Sequence, residues 1–337
     1  MTAATPATPT RDGPPRTVLL TGATGFVGRA VLPALVAAGW QVRCFTRDAK
    51  RAAAQFPSLD WVQGDVEDAP SLSRALAGCT AAMYLVHSMG EGATFAEREV
   101  VAAQGFARAA AQADLARIVY LGGLAPTGDT SSHLRSRLAV GETLRAGPVC
   151  AIELRASMII GHGSLSWLIV RDLAARLPVM VLPSWLRSRT QPIAIDDVVV
   201  ALVAALELTT KGSASFDLPG PQVVTCREIL EVAARVMGLP VPRVLELPIL
   251  TPRLSSHWVR FVTRAQWSVA REVVVGLTQD LLARDDAFWL AIGHPTLISL
   301  LEAARRAIVA EHDEGPAPGA WGLVERLRRG DPHQAAP

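Results

Sequence analysis

Eight residues near the start of the chain, Thr21-Gly22-Ala23-Thr24-Gly25-Phe26-Val27-Gly28, have the types and spacing to hold a diphosphate. They follow the β-branched, leucine-rich run 17–20 and lead into an alanine- and valine-rich helical stretch from Phe26 to Ala38, in which Pro33 is expected to produce a kink. In such a strand–turn–helix unit Gly22 allows the tight turn. Gly25 lets the backbone approach a pyrophosphate, and Gly28 lets helix and strand pack closely. The phosphates then meet unpaired N–H groups and the positive end of the helix dipole. The chemistry implied is dinucleotide binding.

Arg47 stands about 25 residues after Gly22, at the end of the next strand. An acid near there would take a ribose 2′-hydroxyl, whereas arginine accommodates a 2′-phosphate. Arg51 is placed to assist and Asp48 is the competing acid, so the expected cofactor is NADPH, with NADH second. Two histidines, His87 and His133, are candidates for proton transfer, since imidazole titrates near pH ~6.5. His87 closes the fourth strand next to Ser88. His133 stands four residues before Arg137, which puts both on one helix face. Arginine, with a pKa above about 12, fixes charge without releasing a proton. The same spacing also suits an ordinary helix start capped by Ser131 or Ser132. His162, in Gly161-His162-Gly163-Ser164, is expected to border the substrate pocket. No two histidines occur at metal-ligand spacing, so no metal site is expected.

The elements that position these residues alternate. Strands are predicted over 41–46, 59–62, 81–87, 117–121, 149–154 and 215–218, with helices over 95–112 and 134–145 between them. Ile193 to Asp197 followed by Val198 to Leu206 predicts a helix N-capped by the aspartates. Such alternation implies a doubly wound α/β (Rossmann) parallel sheet, with ligand outside the carboxyl ends of the strands. The expected organisation is a disordered tail over 1–16 and a Rossmann core over 17–155, completed by about 190–220. A smaller, mainly helical substrate lobe spans 156–190 and 221–312, and 313–337 form a loose tail.

Composition bounds the function. A 337-residue chain with 50% hydrophobic and 19% charged residues can build a sizeable core. The net charge of +2 and the absence of a lysine-rich block argue against nucleic acid. Lys50 and Lys211 are the only lysines, a bias expected of a GC-rich bacterial genome. The four cysteines are scattered, as suits reduced thiols in a cytoplasmic protein. The run from Leu165 to Leu186 is broken by Arg171, Asp172 and Arg176 and is no membrane span. Arg253, Arg260, Arg264 and Arg271 fall on one helical stripe, the pattern of a solvated face or of a helix lying on an anionic membrane surface.

Taken together, the motifs resemble the atypical short-chain dehydrogenase/reductases. The turn at 21–28 matches their Thr-Gly-x-x-Gly-x-x-Gly. Gly64-Asp65-Val66 looks like the loop whose aspartate contacts adenine. Tyr84-Leu85-Val86-His87-Ser88-Met89-Gly90 is similar to the fourth-strand signature of a subgroup related to NmrA-like regulators and to an accessory subunit of respiratory complex I. His133 to Glu142 and the Gln191-Pro192-Ile193 … Asp196-Asp197-Val198 return also resemble that subgroup. The resemblance implies a cofactor site formed by Thr21, Gly22, Thr24, Gly25, Phe26, Val27, Gly28, Arg47, Asp65, Val66, Val86, His87 and Ser88. It also implies a departure. Active members pair a tyrosine with a lysine four residues on, but this chain has two tyrosines, Tyr84 and Tyr120, followed at that spacing by Ser88 and Leu124. In the missing pair's place stand His133 and Arg137 or, shifted by one, Leu134 and Leu138. The expected activity is NADPH-dependent reduction of an apolar carbonyl, quinone or lipid-like small molecule, with His133, Arg137 and His87 as catalytic candidates. The alternative is an NADPH-binding sensor or scaffold without turnover.

Overall fold

The computed structural model describes residues 16–86, 93–126, 131–177, 179–182, 187–241, 243–246 and 279–312. His87, Ser88, the arginine stripe at 253–271 and the segments 1–15 and 313–337 lie outside the described residues.

Alternating elements build the first half: β1 Thr17–Thr21, α1 Phe26–Ala37, β2 Gln41–Thr46, α2 Ala49–Gln55, β3 Asp60–Gln63, α3 Ala69–Leu76, β4 Ala81–Tyr84, α4 Ala93–Gln112, β5 Arg117–Gly123, α5 Ser132–Ala146 and β6 Ala151–Ala156. Then come β7 Ile159–Ile160, α6 Leu165–Arg176, β8 Val179–Leu182, β9 Arg189–Thr190, β10 Ile193–Ala194, α7 Ile195–Ala205, β11 Ala214–Leu218, β12 Val224–Thr225, α8 Cys226–Val236 and β13 Arg243–Glu246. Two helices, α9 Ala287–Ala291 and α10 Leu300–His312, complete the described chain.

Seven parallel strands form the main sheet in the order β11-β6-β5-β4-β1-β2-β3. The chain winds outward from β1 through β2 to β3, then restarts at β4 on the other side of β1. The switch point is therefore between the carboxyl ends of β1 and β4, where open α/β sheets bind their ligands. Every residue of β1 is buried, which is what covering both faces of a parallel sheet requires. Val18 and Leu20 face a cluster built with α1 and α7, while Leu19 faces α3, α4 and α5. Another apolar cluster joins α6, α8 and α10 through residues such as Trp167, Ile229 and Ala304.

The sheet agrees with the sequence-based expectation in class, but several element ends differ. The fourth strand ends at Tyr84 rather than at 87. Asp196 and Asp197 do not cap α7: Ala194 is its N-cap, without a side-chain hydrogen bond. Asp197 is buried and takes part in long-range bonds instead, pairing with His294 Nε2 at 3.2 Å and accepting from the Ile298 amide at 2.9 Å. A buried carboxylate needs such partners, and they tie α7 to the segment entering α10.

Candidate cofactor site

At the switch point the chain turns sharply. Gly22 has φ +71°, and a Cβ there would lie 2.8 Å from the carbonyl oxygen of Leu85 on the neighbouring crossover. The Gly25 amide donates to Gly22 O at 2.9 Å to close the turn. At Gly28 a Cβ would come within 2.2 Å of the same Gly22 oxygen, so any larger residue would push α1 off the turn. Thr21 is fully buried. Its hydroxyl donates to Met83 O at 3.1 Å and accepts from the Leu85 amide at 3.0 Å, riveting β1 to β4. The side chain of Thr21 thus holds the turn, while Thr24 and Gly25 are exposed on it and Phe26 and Val27 are half-buried behind.

The start of α1 is open to an anion. Its N-cap is Gly25, no side chain caps it, and no acidic residue occupies its first turn. By contrast Asp48, Asp68, Ser131, Ser164 and Thr225 each accept an amide at the start of α2, α3, α5, α6 and α8. A diphosphate fits the cradle at α1, because the bare glycine positions let it reach amides that no protein group caps.

Two neighbouring strand ends supply the rest of the groove. Beyond β2, Arg47 is exposed and has no protein partner among the described residues. Asp48 is committed: its Oδ1 accepts the Arg51 amide at 2.9 Å and caps α2. Beyond β3, Gly64 fits against Phe45 and Ser71, at 2.5 Å from where its Cβ would be. Asp65 is held by mutual bonds with Ser71, and its Oδ1 accepts from the Glu67 amide at 3.0 Å. Val66 is half-buried and packs against the cluster under α3. Val86, after β4, is also half-buried.

On the far side of β4, Ser131 caps α5 by accepting the Leu134 amide at 3.2 Å. This sets the helix register. A Cβ on Gly123, at the end of β5, would meet Leu134 Cδ1 at 2.5 Å and Arg137 Nε at 3.9 Å, so these two residues face the strand end. Arg137 Nη2 donates to Leu121 O at 2.9 Å, and its Nε is buried with no partner. His133, half-exposed, begins the same helix one turn earlier.

The two tyrosines are buried within β4 and β5. Burial pushes the Tyr120 phenol up to about 12 despite the opposing pull of Arg137, and its hydroxyl donates to Arg137 O at 3.0 Å. Burial likewise raises Tyr84, with Tyr120 adding to the effect. Neither phenol is placed to meet a substrate.

His162 lies across α1 from these groups, after β7. It lines a half-open cavity of about 480 Å³ with Phe26, Arg29, Ile160 and Ile195, bordered by Asp196 and by Arg306 of α10. Sequence reasoning missed the charged group inside the sheet, where Glu153, Arg155 and Asp217 are all buried. The available signal was an acid in the middle of the apolar run 150–154.

An NAD(P)H-binding family model matches residues 22–175. The chain is 32% identical over 238 residues to a ceramide reductase from Caulobacter vibrioides, spanning 68% of this chain and 73% of the relative. It belongs to the NAD(P)H-binding short-chain dehydrogenase/reductases. A second reductase, from Streptomyces griseus and named for (4-alkanoyl-5-oxo-2,5-dihydrofuran-3-yl)methyl phosphate, is 30% identical over 233 residues, 66% of this chain and 75% of that one. Among solved structures, triphenylmethane reductase from Citrobacter sp., complexed with NADP(H), is similar with a TM-score of 0.68. It covers 86% of this chain and 99% of its own at 18% identity, a likeness of fold. Within this family the chain departs at the acid: no tyrosine with a lysine four residues on exists in it.

Proposed function

We propose that the protein is an NADPH-dependent reductase, an atypical short-chain dehydrogenase/reductase acting on an apolar, acyl-bearing carbonyl compound or quinone. The observation that carries the cofactor assignment is the pair at the end of β2. Arg47 is exposed and has no hydrogen-bond or ion-pair partner among the described residues, while Asp48 beside it caps a helix through one oxygen. A cation without a counter-charge at this place suits a ribose 2′-phosphate, and Arg51 stands one helical turn away.

Reduction as the reaction is supported by the two relatives, both named as reductases, whose named substrates include an acylated lipid and an alkanoyl compound. The apolar wall of Phe26, Ile160 and Ile195 beside the phosphate turn is suited to such a substrate. When bound, the reduced nicotinamide supplies a hydride to the carbonyl carbon. The chain must then deliver a proton to the oxygen and stabilise the charge developing there. His133 is the candidate acid. Arg137, fixed on Leu121 O, offers charge without a proton.

The test is NADPH absorbance over a panel of quinones, long-chain ketones and acyl lactones. Consumption abolished by His133→Ala and reduced by Arg137→Met is the expected result. Tight NADPH binding with no consumption across the panel would replace this reading with a second one, a cofactor-binding sensor or scaffold. The buried tyrosines and the missing lysine favour that alternative.

A further inference from the structure

The buried carboxylate of Glu153 has no part in the mechanism above, and its surroundings are built around it. It stands on β6 with its side chain 1% exposed. One oxygen, Oε2, accepts from Arg145 Nε at 2.8 Å and from Arg155 Nη2 at 2.9 Å. The other, Oε1, is buried without a partner. Two glycines leave room for it: a Cβ would lie 2.9 Å from Oε1 at Gly122 and 2.2 Å from it at Gly141. Gly122 belongs to β5 and Gly141 to α5, so the carboxylate fills the place where helix and strand come closest.

Arg137, Gly141 and Arg145 recur every four residues and therefore form one stripe of α5. Each is engaged with the sheet. Arg137 donates to Leu121 O while its own carbonyl accepts the Tyr120 hydroxyl, Gly141 opens onto Glu153, and Arg145 binds Glu153. The amino-terminal half of α5 is thus held through Leu121 O, the Tyr120 hydroxyl and the bond from Ser136 Oγ to the Glu99 carboxylate, and its carboxyl-terminal half by a buried ion group. Well-packed apolar residues would hold a helix as firmly at a lower desolvation cost. What charge adds is direction, because Arg145 of α5 must bring its Nε to the one oxygen that Arg155 of β6 also holds.

We propose that Glu153 is a positioning residue: through Arg145 it locks α5, and with it His133 and Arg137, against the carboxyl end of β5. It replaces, by a bond from the sheet further along the same helix face, some of the rigidity that a tyrosine–lysine pair would supply at the reacting atoms. The consequence for turnover rests on the reductase reading. The geometric claim does not, and the test separates them.

Glu153→Gln keeps the shape and removes the charge, while Gly141→Ala drives a methyl into Oε1. Two readouts are taken on each NADPH-saturated variant, with the exposed Glu142→Gln as control. In amide hydrogen exchange, residues 134–138 should exchange about tenfold faster or more in both variants, with β1 and β4 as protected as in wild type. In steady-state reduction, kcat should fall about ten- to a hundredfold, as a misplaced reacting group predicts, with KM and NADPH affinity held within about twofold. The double variant should be no worse than the worse single one, since both act on one contact. Unchanged exchange at 134–138, or exchange raised uniformly through the sheet, overturns the proposal. So does a kcat loss matched by an equal loss of NADPH affinity. Wild-type protein without turnover would sink the reductase reading alone, and the exchange result would still decide the role of Glu153.

Discussion

Replacing Arg47 by alanine isolates the nucleotide preference. The side chain is exposed and makes no hydrogen bond or ion pair among the described residues, so the melting temperature should stay within about 1 °C on its removal. In the complex it removes a charge-assisted bond to the 2′-phosphate. Such bonds contribute about 1.5–3 kcal/mol, and an exposed, solvent-screened guanidinium belongs at the lower end. At about 1.4 kcal/mol per decade, the NADPH dissociation constant should rise about tenfold. NADH has no 2′-phosphate and should change by less than about twofold. Asp48→Asn retains a capping side chain and should leave both affinities in place. The assay is isothermal titration of both reduced nucleotides at two ionic strengths, with the wild-type advantage for NADPH shrinking at higher salt. An equal loss for NADPH and NADH, or none for either, would refute the assignment of Arg47 to the phosphate.

Three further outcomes follow from the geometry. Gly28→Ala places a methyl 2.2 Å from the backbone oxygen of Gly22 and should abolish dinucleotide binding, or unfold the turn outright, as read by calorimetry and circular dichroism. Asp197→Ala leaves the Ile298 amide and His294 without their acceptor and should lower stability by about 1–3 kcal/mol in urea unfolding, with a shift below about 0.5 kcal/mol refuting its anchoring role. Tyr120, raised to about 12, should stay protonated in the folded state above the ordinary phenol range. The folded state holds this proton more tightly than the unfolded chain, so its contribution is complete below pH ~10 and is lost as pH rises toward 12. Because Tyr84 is raised as well, tyrosinate absorbance near 295 nm should appear only with unfolding, and a gradual titration near pH ~10 would contradict the burial of both rings.

The parts of the molecule legible in the sequence were those with local causes. Leu19 and its neighbours announced β1 by an unbroken apolar run, and Gly22, Gly25 and Gly28 announced the turn by spacing. Both follow from short-range sterics. Ser131 was a candidate cap and accepts the Leu134 amide, while Leu134 and Arg137, one from each alignment the sequence left open, face the end of β5. Asp197 looked like a cap because acids before an apolar helix usually are. Its partners, His294 and Ile298, lie about a hundred residues away, beyond any local pattern. The surroundings of Glu153 were illegible for the same reason: the spaces that receive it are at Gly122 and Gly141, and only the fold brings strand, strand and helix together. Asp48 shows the converse: an acid that competes for the ribose on sequence grounds is found capping α2 through its Oδ1.

The account depends most on the open amino terminus of α1 holding a dinucleotide diphosphate. Calorimetric titration of wild-type protein with NADPH, repeated on Gly25→Glu to set a carboxylate among the α1 amides, tests that directly. The account predicts one NADPH bound per chain by the wild type and none by the variant. Undiminished binding by Gly25→Glu, or no heat from wild type with any nicotinamide nucleotide, would contradict it.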